Sequence, residues 1–202
     1  AEVLGSSLRW TEAKWRAGAA AGAPEASLDL QLEPMAVAPW LKKWQPEAGF
    51  GGDLALKGHA RLQLGERVSA DLVVERASGD LTRSDETGTQ AFGLTDLRLG
   101  VTAQDGTWHF TQAVAGRNVG VLAGAQSLRL PPQARWPRPE TPMQGVLEWQ
   151  VADLGAWAPF APVGWRLAGA LRVGAALGGT FGAPEVTGEL SGTRLAVRNL
   201  LQ

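Results

Sequence analysis

Residues 50–64 read FGGDLALKGHARLQL. Every second residue from Phe50 is uncharged: Phe50, Gly52, Leu54, Leu56, Gly58, Ala60, Leu62 and Leu64. Five of the seven between them are polar or charged: Asp53, Lys57, His59, Arg61 and Gln63. Such period-two alternation predicts a β-strand with one dry and one wet face. As one strand it would run roughly 50 Å, where strands of about 5 to 6 residues are usual. So long an apolar face needs a cover.

The same alternation recurs along the chain. Ser27–Glu33 sets Leu28, Leu30 and Leu32 against polar residues, and Val68, Ala70, Leu72 and Val74 follow the Gly65-Glu66 turn. In residues 91–103 the apolar positions switch from Phe92 and Leu94 to Leu97, Leu99 and Val101, which predicts a bulge near Thr95. Similar phase changes fall before Trp15 and near Gly192. Gln104-Asp105-Gly106 is a hairpin signal, and Gly116-Arg117-Asn118 marks another turn. Residues 77–90 read as a polar loop around a short strand at Leu81. Helical signals are confined to 33–46 and 152–160, and an internal proline keeps each to a turn or two. The fold class expected is all-β.

Residues 131–142 hold five of the twelve prolines and read as a connection between two regions. Residues 1–130 then form a first repeat region and 143–202 a second, incomplete copy. Leu28, Gln31 and Leu32 match Leu147, Gln150 and Val151. Phe50-x-Gly52-x-Leu54-x-Leu56 matches Leu167-x-Gly169-x-Leu171-x-Val173. A strand, a short helix, a long strand and a hairpin therefore recur, as in an extended array.

Composition removes several classes of function. The 202 residues are 45% hydrophobic and 19% charged, with a net charge of −1, which suits a globular chain and gives no footprint for nucleic acid. With no cysteine there is no disulfide and no thiolate metal site. His59 and His109 lie on polar strand faces, and no carboxylate is spaced to complete a metal set with them. No phosphate loop, nucleophile elbow or zinc-protease motif occurs, and no cofactor is called for. The nine tryptophans include Trp40, Trp44 and Trp157 on the short helices. Helix-to-sheet packing accounts for these, with a sugar-stacking platform as the alternative. No apolar run is long enough for a transmembrane helix. Both ends of the sequence read as interior to structure, so a longer parent protein is expected.

Two covers for the dry face stay open. Two sheets can pack face to face in a sandwich. Alternatively, one curled sheet holds an apolar ligand. Small residues on the dry face (Gly52, Gly58, Ala60, Gly169, Ala175) leave room and let a sheet bend.

Residues 171–202 resemble the repeat signature of the TamB family, the inner-membrane subunit of the bacterial translocation and assembly module. Gly179-Thr180, Gly182, Pro184, Gly188, Leu190, Leu195, Val197, Arg198 and Asn199 carry the likeness. The wider AsmA-like group shares it in weaker form. The resemblance implies a β-taco: an elongated, curled, antiparallel-rich trough of tandem repeats in the periplasm of a Gram-negative cell, anchored in the inner membrane by a segment outside this sequence. It implies a hydrophobic groove for phospholipid acyl chains, a part in intermembrane phospholipid transport and outer-membrane biogenesis, and the barrel protein TamA as partner. It implies no catalytic residue, and the chain is read as a non-enzyme. The expected wall is Leu28, Leu30, Leu32, Phe50, Leu54, Leu56, Leu62, Leu64, Trp165, Leu167, Leu171 and Val173. A surface that pairs with outer-membrane protein strands, and a closed β-domain without ligand, remain as alternatives.

Overall fold

The structure, a computed structural model, describes residues 2–3, 6–16, 25–85, 88–161 and 164–199. Fourteen strands are described: β1 (Glu2–Val3), β2 (Ser6–Arg16), β3 (Glu25–Ala36), β4 (Phe50–Gly52), β5 (Ala55–Leu64), β6 (Val68–Ser78), β7 (Leu81–Asp85), β8 (Gly88–Ala91), β9 (Leu94–Gln104), β10 (Thr107–Gly116), β11 (Gly120–Arg129), β12 (Met143–Val151), β13 (Trp165–Thr180) and β14 (Ala183–Asn199). The helix α1 spans Ala38–Trp44, and 3-10 turns span Pro46–Ala48 and Leu154–Phe160. The fold is all-β.

Eleven strands form one open antiparallel sheet in the order β1-β2-β3-β5-β6-β9-β10-β11-β12-β13-β14. Strands β4, β7 and β8 form a second, small sheet. The facing partner that a sandwich requires is therefore not what the large sheet has. The strands of the large sheet lie in chain order, and tight turns join β5 to β6, β9 to β10, β10 to β11 and β13 to β14. Asp105 (φ 51°) and Gly106 (φ 78°) both adopt the left-handed region that a two-residue hairpin needs. The predicted bulge falls where expected: Ala115 pairs with Asp96 and Gly116 with Leu94, leaving Thr95 extra. The slip in β2 lies between Trp10 and Glu12, and that in β14 between Thr193 and Ala196.

The opening stretch corrects the expectation of one long strand. Phe50–Gly52 is β4, in the small sheet, and only Ala55–Leu64 runs in the large one. Gly52 breaks the strand at φ 103°, with its Cα against the carbonyl of Asp80, where a Cβ has no space. Its counterpart in the matching stretch, Gly169, has the same φ of 103° and creates the β13–β14 bulge.

Asp80 holds the two sheets together. Its carboxylate accepts backbone N–H bonds from Leu81 (2.9 Å), Gly93 (2.8 Å) and Leu94 (2.8 Å). Its carbonyl accepts from Asp53 and Leu54, and its own N–H donates to the Asp53 carboxylate at 2.8 Å. These bonds satisfy the backbone groups that the chain frees on leaving one sheet for the other. The polar reading of residues 77–90 thus resolves into β7 and β8 around this junction.

Residues 131–142 connect β11 to β12. The strands on either side, β11 and β12, pair directly, so the large sheet is continuous through them. The proline-rich segment is a strap across one end of the sheet. Thr141 is buried there, and its carbonyl accepts the Phe181 N–H at 2.9 Å, while Pro139 accepts from Gly182 at 2.7 Å. Proline suits a strap because it holds an extended path without needing ladder hydrogen bonds.

Asp80→Ala removes two carboxylate oxygens that accept three charge-assisted hydrogen bonds and is expected to cost about 3 kcal/mol, with Asp80→Asn costing less. Urea unfolding followed by circular dichroism measures both, and equal midpoints for Asp80→Ala and the parent would refute the role.

Candidate functional site: the apolar face of the large sheet

Residues opposite each other in antiparallel strands share a face. Following the register across the sheet therefore sorts every described side chain. One row runs Leu30, Ala60, Leu72, Val101, Phe110, Gln126, Gly145, Leu177, Val186 from β3 to β14. The next runs Leu32, Gly58, Val74, Leu99, Gln112, Gly124, Leu147, Ala175, Gly188. Closer to the strap lies Leu28, Leu62, Ala70, Ala103, Trp108, Leu128, Met143. Across nine strands, two glutamines are the only polar side chains in these three rows.

The opposite face carries the charges. Lys57 pairs with Glu75 at 3.3 Å and Glu75 with Arg98 at 3.5 Å, a row across β5, β6 and β9. Arg61 reaches Asp29 at 3.3 Å, and His59 lies 3.4 Å from Asp71. These exposed pairs contribute little each, but they fix which face meets water. Among the described residues no cluster of three His, Asp or Glu side chains is placed to hold a metal ion.

Cover over the apolar face is graded. Under the strap, Val68, Ala70, Ala103, Trp108, Leu128 and Leu130 are buried, with Met143 and Ala134 against them. Trp136 of the strap lies on Trp108, ring centroids 5.4 Å apart. Trp108 in turn stacks on Phe110, and Phe110 on Phe181 at 6.4 Å. Three strand intervals of about 4.8 Å separate β10 from β13, so a ring contact between Phe110 and the β13–β14 turn shows the sheet curling toward its apolar side. Away from the strap, Leu28, Leu30, Leu32, Leu62, Leu72, Leu147 and Val173 are half-buried. At β14 the cover ends: Val186 is 66% exposed and Leu190 67%.

The far end of the face is bounded by short elements. Trp157, in the 3-10 turn after β12, packs edge-on against Trp149 at 5.3 Å. The Trp149 indole N–H donates to the Val119 carbonyl at 2.9 Å, anchoring the β10–β11 turn. Trp40 and Trp44 of α1 make a similar edge-on pair at 5.4 Å. Trp44, 69% exposed, extends beyond the pair.

The register gathers Leu28, Leu30, Leu32, Leu56, Leu62, Leu64, Leu171 and Val173 onto the apolar face, as expected of a wall. It removes Phe50, which lies in the small sheet against Phe92 at 6.4 Å. Leu54 is fully buried at the junction between the sheets, so it is core rather than wall. Leu167 and Trp165 lie beyond the Gly169 bulge, the first half-buried and the second 41% exposed. Leu122, Leu147 and Trp149 were missing from the expected wall, although alternation in their strands is as clear as in β5.

No family model, curated protein or solved structure matches this chain.

Because the strap cluster is the best-buried part of the molecule, Trp108→Ala is expected to cost about 3–5 kcal/mol and Leu128→Ala about 2–5 kcal/mol. A polar-face control, Thr111→Ala, is expected within about 0.5 kcal/mol of the parent. Denaturant midpoints measure all three.

Proposed function

We propose that this chain is part of a periplasmic, TamB-like protein whose apolar sheet face shields phospholipid acyl chains between membranes. The observation that carries this reading is the apolar face that runs across nine strands with two glutamines and no charge in its central rows, only half covered by the protein itself. Strands of ten residues give the face a length of roughly 33 Å. A bilayer's hydrocarbon core is about 30 Å thick, so one acyl chain spans about 15 Å, and the face has room for it.

The mechanism is passive. An acyl chain crossing water loses about 0.8 kcal/mol for every CH2 exposed. A chain passing from bilayer hydrocarbon to an apolar sheet stays dry, so this cost is largely avoided. The head group stays at the open side, in water. A wall with two glutamines and no charge in its central rows fixes no position along its length, which lets a lipid slide and gives little chain selectivity. No residue acts as a catalyst in this reading.

A second reading, pairing with incoming outer-membrane strands, draws on the edge of β14 that no described strand pairs with. The two separate experimentally. A photo-crosslinking residue at Leu30 faces the apolar side and one at Gln31 the polar side. In cells, lipid adducts are expected at Leu30 and not at Gln31, read by mass spectrometry of the purified adduct. Adducts at both positions, or at neither, would sink the groove reading.

A further inference from the structure

β6 carries the apolar face through Val68, Ala70, Leu72 and Val74, and the next residue in that alternation is Arg76. Beyond the three central rows the register adds a fourth. Leu56 lies opposite Arg76 in it, and the row goes on through Leu97, Val114 and Leu122. From β3 to β13, Arg76 is the one charged residue among the described members of this row. It stands within the sheet rather than at its rim, since β6 is paired with β5 on one side and β9 on the other.

The Arg76 side chain is held in place but not neutralised. A guanidinium has five N–H donors in a fixed fork. Here Nε–H donates to the Gly79 carbonyl at 2.9 Å, and Nη1 donates to the Thr95 carbonyl at 3.3 Å. The other donors meet no acceptor among the described residues, and no carboxylate pairs with them. The acidic residues nearest in sequence are engaged elsewhere. Glu75 bridges Lys57 and Arg98 on the opposite face, and the Asp80 carboxylate accepts three backbone N–H bonds. A half-buried cation with open donors beside apolar surface is suited to an oxyanion.

Length fits the same ligand. Val68 and Ala70 are buried beneath the strap. From Ala70 to Arg76 the strand covers about 20 Å, and an acyl chain spans about 15 Å. Leu72 and Val74 form the floor between them, and Leu99, opposite Val74, is 47% exposed. The strap closes one end of this stretch. At the other, the bond from Arg76 to Thr95 is exposed to water.

We infer that Arg76 binds the phosphate of a phospholipid whose acyl chain lies along β6 with its methyl end toward the strap. The inference rests on the groove reading and adds an orientation to it. The central rows let a chain slide, and Arg76 sets which end carries the head group.

Isothermal titration calorimetry with dioctanoyl phosphatidylglycerol, dioctanoylglycerol and glycerol phosphate separates head group from tail. The phospholipid should bind most tightly. Arg76→Gln should weaken it about tenfold and leave dioctanoylglycerol unchanged. Far-UV circular dichroism matching the parent checks that the variant folds. A second measurement needs no variant: phosphatidylglycerol with a diazirine at the end of an acyl chain should label the parent chain near Ala70 and not near Leu56. Equal binding of phospholipid and dioctanoylglycerol, with Arg76→Gln changing neither, would overturn the inference and leave the groove reading standing. So would labelling centred on Leu56. Glycerol phosphate binding as tightly as the lipid would also overturn it, because the site would then take free phosphate. Binding of neither lipid would remove the groove reading itself, and this inference with it.

Discussion

The whole structure depends on one constraint: antiparallel register must keep a period-two pattern on a single face through nine strands. A slip of one residue in any strand would turn its leucines into water. The protein meets this by placing a bulge wherever the sequence pattern changes phase. Glu33-Pro34, Ala77, Thr95 and the Gly169–Arg194 pair each absorb such a change. All four lie at the end of the sheet away from the strap. Bulges bend and twist strands, so the same devices that protect the apolar face also let this end turn into the small sheet and the short helices.

The two ends of the apolar face are closed by different chemistry. At one, a proline-rich strap and a chain of aromatic rings close over a buried hydrophobic cluster. At the other, the Asp80 carboxylate organises backbone hydrogen bonds at the junction of the sheets. Stability therefore sits at the ends, and the middle of the face is free to be half covered. A chain built this way can expose apolar surface without depending on it for folding. That division is what makes a half-covered apolar face compatible with a stable protein.

Much of the fold was legible from alternation and turn chemistry. The Thr95 bulge, the Asp105-Gly106 hairpin and the short helical turns after β3 and β12 follow from residue type and spacing. The candidate site was legible in part. Eight wall residues, among them Leu30, Leu62 and Val173, lie together because period two is a local property of each strand. Phe50 and Leu54 did not follow, because Gly52 takes a positive φ against Asp80, and that contact joins residues distant in sequence. The path of the strap depends on distant contacts in the same way. Proline richness marks an extended path, and only the burial of Trp108 beneath Trp136 shows that this path crosses a core.

By itself the sequence determined that strands alternate dry and wet, where they turn, and that no charged or metal-binding chemistry gathers on the dry side. Those are consequences of bonds and side chains within a few residues of one another. Tertiary structure alone decided that the dry sides join into one open face rather than two facing sheets. It also decided where that face is capped. Strand pairing sets these, and pairing is a choice among distant partners that identical alternation leaves undetermined.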